Sequence, residues 1–161
     1  MSNRDPSKER LLEVYIYKKD GVLVNRINRG PRGKKGARVG YKTKIGYLSC
    51  TLDRMTSHVH RVIYIMHNGD IPEGLVIDHI NGKRDDNRIE NLRIVTPQEN
   101  QFNRLNAKGY HWNKHNQKYL SSINGVDGVR MYLGSFDDKE DARKAYADAK
   151  AKYHIIEKRG K

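Results

Sequence analysis

The chain predicts an α+β fold in two parts, and three observations carry that expectation. Short apolar or alternating runs bounded by Gly, Asn and Asp clusters recur along it, the pattern of strands and turns. Helical signals interrupt them near residues 60–69, after Thr96 and over 138–153. A change of pattern at residues 106–109 (NAKG) separates residues 1–105 from 108–155, with a basic tail at 156–161. The first part is expected to hold N-terminal β-hairpins and a core at 58–105. The second is expected to be a small domain with a three-stranded antiparallel sheet and one helix.

Residues 1–10 are polar and expected to be mobile. LEVYIYKKDGVLVNRI (12–27) reads as a hairpin round Lys19, Asp20 and Gly21. Residues 28–44 form a Gly-rich loop carrying seven cations and no acid: Arg29, Arg32, Lys34, Lys35, Arg38, Lys42 and Lys44. Such a run repels itself without a counter-charge, so it is expected to be a mobile loop that orders on a nucleic-acid backbone. KIGYLSCTL (44–52) is a strand that pairs with RMTSHV (54–59), and HRVIYIMHNG (60–69) is a helix ending at Asn68-Gly69. His60 is assigned to packing at the helix start. His67 is assigned to the helix C-terminus, where a cation is favoured. Cys50 lies in an apolar strand and is expected to be a buried small hydrophobe.

VIDH (76–79) reads as a strand, NGKRDDN (81–87) as a loop and LRIV (92–95) as a second strand. Thr96, Pro97 and Glu99 read as N-cap, first helical residue and capping-box acid. Asn100 is then the fourth residue of a helix. In the second part YHWNKH, QKYLSSING and VRMYLGSF are the three strands, with turns at Asn116 and at Val126-Asp127-Gly128. Asp137 is expected to cap the final helix, whose Ala142, Ala145, Tyr146 and Ala149 make a small-residue stripe. Trp112, Tyr119, Leu133, Phe136 and Tyr146 are expected to form that domain's core.

Composition narrows the function classes. With 161 residues the chain is one ordinary domain or two small ones. A mean hydropathy of −0.91 and 36% hydrophobic residues exclude a single large core. A charge of +13 and a pI near 9.8 suggest a polyanionic partner. That charge is uneven: residues 1–70 are net +9, 71–105 net −1 and 106–161 net +5. One cysteine excludes a disulfide framework and a cysteine-based zinc site within the chain. No apolar run is long enough to span a membrane, and the N-terminus lacks a signal-peptide core. The expected location is the cytoplasm, that of a host cell if the protein is phage-encoded.

The near-neutral centre carries the chemistry. DHINGKRDDNRIENLRIVTPQEN (78–100) sets His79 and Asn91 12 residues apart, and Asn91 and Asn100 9 apart. Asp78 offers a carboxylate oxygen and Asn100 an amide oxygen, donors that suit a hard ion such as Mg²⁺ or Mn²⁺. Neutral His79 can take a proton from an attacking water. Asn91, where the loop rejoins the second strand, can bridge the loop backbone and orient the His79 ring.

These residues resemble the HNH nuclease motif, most closely that of the phage intron-encoded HNH homing endonucleases, over about residues 45–105. The resemblance implies a ββα-metal core. It makes His79 the general base, with Asn91 the structural member of the catalytic set and Asp78 and Asn100 the holders of one divalent metal. Asn100 stands where the textual pattern has His. The homing subgroup commonly has Asn there, which argues against tight Zn²⁺ binding and for Mg²⁺ or Mn²⁺. QKYLSSI (117–123), RMYLGSF (130–136) and the Ala-rich helix resemble the AP2 DNA-binding domain over about 108–155. In that family the outer sheet face enters the major groove, and the matching positions are His111, Asn113, Lys118, Arg130 and Tyr132. The plant family has Arg at the first-strand positions that read His111 and Asn113 here, so its sequence specificity does not carry over.

The expectation is therefore a metal-dependent HNH endonuclease of homing type that hydrolyses a DNA phosphodiester, nicking one strand at a long site. Its partner is double-stranded DNA, held also by Arg29, Arg32, Lys34, Lys35, Arg38, Lys83 and Arg84. No membrane and no small-molecule cofactor are expected, and monomer and homodimer both remain open. Two other classes compete: a DNA-binding regulator with an inactive HNH fold, and a basic RNA- or ribosome-binding protein. Metal-dependent cleavage separates the first from an enzyme, and preference for RNA identifies the second.

Overall fold

A computed structural model describes residues 5–104, 107–125, 127–156 and 159. The chain forms two compact units, residues 1–94 with 159–161 and residues 95–158. The sequence expectation put the change of module at 105–108, whereas the compact units part after Ile94.

In the first unit, helix α1 (Lys8–Val14) is capped by Ser7, whose hydroxyl accepts from the Arg10 amide, and it buries Leu11 and Val14. This corrects the reading of residues 1–10 as mobile from Lys8 onward; residues 1–4 lie outside the described residues. Strand β1 (Tyr15–Tyr17) pairs antiparallel with β2 (Leu23–Asn25), a hairpin shorter than expected. Its turn contains Gly21 at φ 83°. A Cβ there would stand 2.6 Å from the Arg88 nitrogen and 2.7 Å from the Asn87 carbonyl carbon, so the turn packs on the motif loop and only glycine fits.

The basic segment that follows is folded, correcting the expectation of a mobile loop. The Asn25 amide donates to Ala37 O (3.0 Å), Gly36 N to Asn25 O (2.8 Å) and Lys35 N to Asn28 Oδ1 (2.8 Å). These bonds satisfy backbone groups that an extended loop would leave to water.

Strands β3 (Tyr41–Lys42), β4 (Leu48–Leu52) and β5 (Met55–His58) form one antiparallel sheet in that order. The β4–β5 turn puts Asp53 and Arg54 at positive φ, as a tight hairpin needs, and Asp53 accepts from Arg10 Nε at 2.8 Å. Helix α2 (Val59–Asn68) ends at Gly69 with φ 85°. Val59, Val62, Ile63 and Met66 from α2 enter the core beside Leu11, Tyr15, Leu23, Cys50, Ile77, Leu92 and Ile94. Each such burial stabilises by about 1.5–3 kcal/mol. Cys50 is buried as expected, and burial pushes its thiol up to about 11. Strands β6 (Val76–His79) and β7 (Leu92–Val95) make a two-stranded sheet, joined by a loop ending in the 3-10 turn Ile89–Asn91.

The second unit begins with α3 (Pro97–Phe102). Thr96 accepts from the Glu99 amide (3.1 Å) and Glu99 accepts from the Thr96 amide (2.7 Å), with Pro97 in the first turn, as the sequence predicts. Strands β8 (Tyr110–Asn113), β9 (Lys118–Asn124) and β10 (Arg130–Phe136) form an antiparallel sheet with β9 central. Val126, expected in the second turn, lies outside the described residues, as do 157, 158, 160 and 161 of the tail. Helix α4 (Lys139–Tyr153) buries Ala142 and Ala149, so the small-residue stripe does face inward.

Asp138, not Asp137, is its N-cap, accepting from the Glu140 amide at 2.6 Å. Asp137 pairs with Lys118 instead. Trp112 is 46% exposed, which corrects its assignment to the core. The register puts it on the same face as Tyr119 and the buried Ser121 and Ile123, but on an edge strand where little covers it.

Candidate nuclease site

Strand β6 ends in Asp78 and His79, 6% and 4% exposed. The loop that leaves them is built from its own polar groups. Asn91 Oδ1 accepts from the Asn81 amide (3.0 Å), while its Nδ2 donates to Asn81 Oδ1 (3.1 Å) and to the Asp86 carbonyl (2.8 Å). Asp86 accepts from Arg88 through two 2.8 Å bonds and from Asn81 Nδ2 at 2.7 Å. The Arg88 hydrogen bond holds the Asp86 carboxyl well below the usual range. Asn91 thus bridges the loop, as its spacing suggested.

Orientation of the His79 ring comes from a residue the sequence reading passed over. His79 Nε2 lies 2.9 Å from Asn87 Oδ1. An amide oxygen only accepts, so the bond puts the proton on Nε2 and the lone pair on Nδ1. Asn87 is 1% exposed, and its Nδ2 is buried with no partner. A buried unpaired amide costs about 1–3 kcal/mol. Its oxygen's bond to the histidine is a physical reason to keep it. The available signal was an asparagine in the loop eight residues after a base candidate.

The His79 ring also meets the His60 ring edge-on, centroids 4.9 Å apart, and His60 stacks near His58 at 5.3 Å. Burial, with the neighbouring histidines, pushes His60 down to about 2. It therefore stays neutral at working pH, in keeping with a packing role. His67 sits in the last turn of α2 as expected, and burial with Lys8 pushes it below its ordinary value.

Asp78 Oδ2 accepts from both Nε (2.9 Å) and Nη2 (2.8 Å) of Arg93 on β7. Arg93 was also missed. It stands between buried Leu92 and Ile94, and that alternation marks a cation on the other face of the strand. Asn100 is exposed on α3, where its amide donates to Thr96 O at 3.0 Å. The structure therefore brings Asp78, His79, Asn87, Asn91 and Arg93 together in one unit, and Asn100 stands on the other. Among the described residues no group of three or more His, Cys, Asp or Glu is arranged to hold a metal.

The expected DNA contacts divide into exposed and tied groups. Arg32, Lys34, Lys35, Arg38 and Lys83 are exposed. Arg29 donates to Tyr15 Oη (2.8 Å) and Thr51 O (2.9 Å), and Arg84 donates to Ile45 O (2.7 Å) while lying over the Tyr47 ring. In the second unit the register puts His111, Asn113, Lys118, Arg130 and Tyr132 on one sheet face, opposite buried Ser121 and Ile123. Asn113 Oδ1 accepts from the His115 and Asn116 amides and so also makes the turn. Arg130 Nε donates to Ser122 Oγ at 2.9 Å.

Replacing Asn87 by Ala should lower the cleavage rate about tenfold to a hundredfold, the usual size of a lost orienting partner. DNA affinity should not change, and Asn87→Asp, which keeps an acceptor oxygen, should recover most of the loss. Single-turnover kinetics beside a binding titration would check this. An Asn87→Ala protein cleaving at the wild-type rate would show that the bond does not matter.

The chain is similar to known proteins over part of its length. SPbeta prophage-derived YosQ of Bacillus subtilis (strain 168), named as an HNH homing endonuclease, is 35% identical over 80 residues, 50% of this chain and 46% of its own. A protein of Acanthamoeba polyphaga mimivirus named as an HNH endonuclease is 32% identical over 111 residues, 66% of this chain and 57% of its own. The chain thus spans about half the length of these curated relatives. A solved structure of the HNH homing endonuclease I-HmuI, described as binding and cleaving DNA, aligns with a TM-score of 0.45 at 22% identity. The alignment covers 86% of this chain and 80% of that one. Residues 57–102, which include Asp78, His79, Asn87, Asn91, Arg93 and Asn100, match the HNH endonuclease family.

Proposed function

We propose that the chain is a metal-dependent DNA endonuclease of the homing type that hydrolyses one phosphodiester per binding event. The observation that carries this reading is the buried His79 ring, held by Asn87 in the tautomer of a base beside the Asp78 carboxylate. His79 Nδ1 takes the proton of the attacking water, and Nε2 stays bonded to Asn87. Asn91 keeps the loop closed round these groups.

By the resemblance to the HNH motif, Asp78 and Asn100 are the residues that would hold the metal. One carboxylate and one amide oxygen, without sulfur, fit a hard ion that keeps several waters and takes a phosphate oxygen, Mg²⁺ or Mn²⁺. Bound there, the ion would stabilise charge on the phosphate and the leaving oxygen. The products are a 5′-phosphate and a 3′-hydroxyl.

The second unit docks on double-stranded DNA through the face with His111, Asn113, Lys118, Arg130 and Tyr132, in the manner of an AP2 domain. The exposed cations of residues 29–38, with Lys83 and Arg84, take backbone phosphates. One base and one metal site per chain make a monomer a nicking enzyme, and a homodimer cuts both strands. The setting is the cytoplasm, of a host cell for a phage gene; no helix among the described residues is long and apolar enough to cross a membrane.

A second reading, a DNA-binding regulator with a silent nuclease fold, is favoured by one observation: Arg93 occupies Asp78 Oδ2. A supercoiled-plasmid assay with Mg²⁺, Mn²⁺ or EDTA decides between them. Metal-dependent open circles are expected, and linear product would indicate paired sites. Binding without cleavage of any DNA under all three conditions would establish the silent regulator.

A further inference from the structure

The helix that bears Asn100 has only six residues, too few to hold its own shape in water. Its seat lies in the second unit. Phe102 on its last turn is buried and stacks on the His154 ring, with centroids 3.9 Å apart and planes 11° from parallel. His154 directly follows α4. Its backbone amide donates to Lys150 O (3.0 Å), and its Nε2 lies 2.9 Å from the Asn124 carbonyl at the end of β9. A carbonyl only accepts, so Nε2 carries the proton.

Two further bonds hold the same segment. Gln98 Nε2 donates to Gly125 O at 3.1 Å, and Lys150 Nζ donates to Arg104 O at 3.2 Å. The ends of β9 and α4 therefore grip α3 near its first turn, at its last turn and just beyond. Asn100 lies between the gripped residues Gln98 and Phe102.

We propose that His154, through its stack on Phe102 and its bond to Asn124, is a positioning residue for Asn100. The C-terminal sheet and helix are then part of the catalytic apparatus as well as a DNA-docking surface. This rests on the reading that Asn100 acts in cleavage. If that sheet and helix served docking alone, removing residues 106–161 would weaken DNA binding and leave the catalytic fold whole. The truncated chain would lose Gly125, Lys150 and His154, which touch this segment, and Asn124, which holds His154.

The test compares full-length wild type, His154→Ala, His154→Phe, Gln98→Ala and Asn100→Ala. Three readouts are taken: single-turnover cleavage at saturating DNA, DNA affinity in EDTA, and amide hydrogen exchange over residues 97–103 without metal. His154→Ala should lower the rate at least about tenfold, since a misplaced group can cost a hundredfold. Its DNA affinity should stay unchanged and its exchange over 97–103 should quicken. His154→Phe, which keeps a flat ring on Phe102, should restore most of the rate and protection. Gln98→Ala, a change outside the core, should move both readouts in the direction of His154→Ala.

Wild-type rate and wild-type protection in His154→Ala would overturn the proposal. A rate loss matched by an equal loss of DNA affinity would also overturn it, because the residue would then serve docking alone. If Asn100→Ala cleaves as wild type does, or wild type does not cleave, the nuclease reading of Asn100 fails. The exchange data alone still decide whether His154 holds the helix.

Discussion

His79→Ala should lower single-turnover cleavage by about 10²- to 10⁴-fold, the range that a positioned acid or base contributes. On the proposed mechanism the proton of the attacking water then has no side-chain acceptor. Its neighbour His60 cannot stand in, because burial keeps that ring neutral yet packed away from solvent, with its Nδ1 unpaired. DNA affinity should hold, since the exposed cations proposed to take phosphates lie elsewhere. The loss should therefore appear in kcat with KM unchanged, the mark of an interaction made only in the transition state.

His79 is buried, so the Ala variant also leaves a hole against His60. His79→Gln separates packing from chemistry: an amide fills more of the space and can still donate to Asn87, but it is no base. Both variants should be slow. A near-wild-type rate in either would remove His79 from the mechanism, and a slow His79→Ala beside a fast His79→Gln would show a packing role only.

What the sequence revealed follows from the range of each interaction. The Thr96–Pro97–Glu99 helix start was legible because its bonds close within four residues. The strands at 76–79 and 92–95 were legible because alternation and turn residues are local signals. Helix α1 escaped because the charged residues of KERLLEV mask the single stripe of Leu11 and Val14. The basic loop looked mobile because a run of Gly, Lys and Arg gives no hint of bonds back to Asn25 and Asn28.

Trp112 shows the limit of periodicity: a period of two names the face of a strand but not whether an edge position is covered. At the site, Asn91 could be read because spacing marks the end of the loop. Asn87 could not, because its bond to His79 depends on how the loop folds over the strand. The seat of α3 is likewise long-range, made between residues 27 to 52 positions apart.

Asp78→Ala should abolish the response to Mg²⁺ altogether. A bound metal supplies several kcal/mol of charge stabilisation in the transition state. Losing about 4 kcal/mol corresponds to at least about 10³-fold in rate. The substitution also strands Arg93, whose Nε and Nη2 both donate to Asp78 Oδ2. Breaking a buried pair by removing one partner costs about 3–5 kcal/mol, and less here because the Arg93 side chain is 26% exposed. A fall in melting temperature is thus expected beside the loss of activity, and it must not be mistaken for the cause.

Asp78→Asn resolves the two effects. It keeps an oxygen for Arg93 and so most of the stability, but it gives up the negative charge that draws a hard divalent ion. Its Mg²⁺ titration should shift to much higher concentration with the melting temperature near that of wild type. Should Asp78→Ala retain the wild-type Mg²⁺ titration, Asp78 is no ligand, and its carboxylate serves only to hold Arg93. A folded Asp78→Asn that cleaves at the wild-type Mg²⁺ concentration would lead to the same conclusion. The Mg²⁺ titration therefore tells whether the charge of Asp78 serves a metal or Arg93 alone.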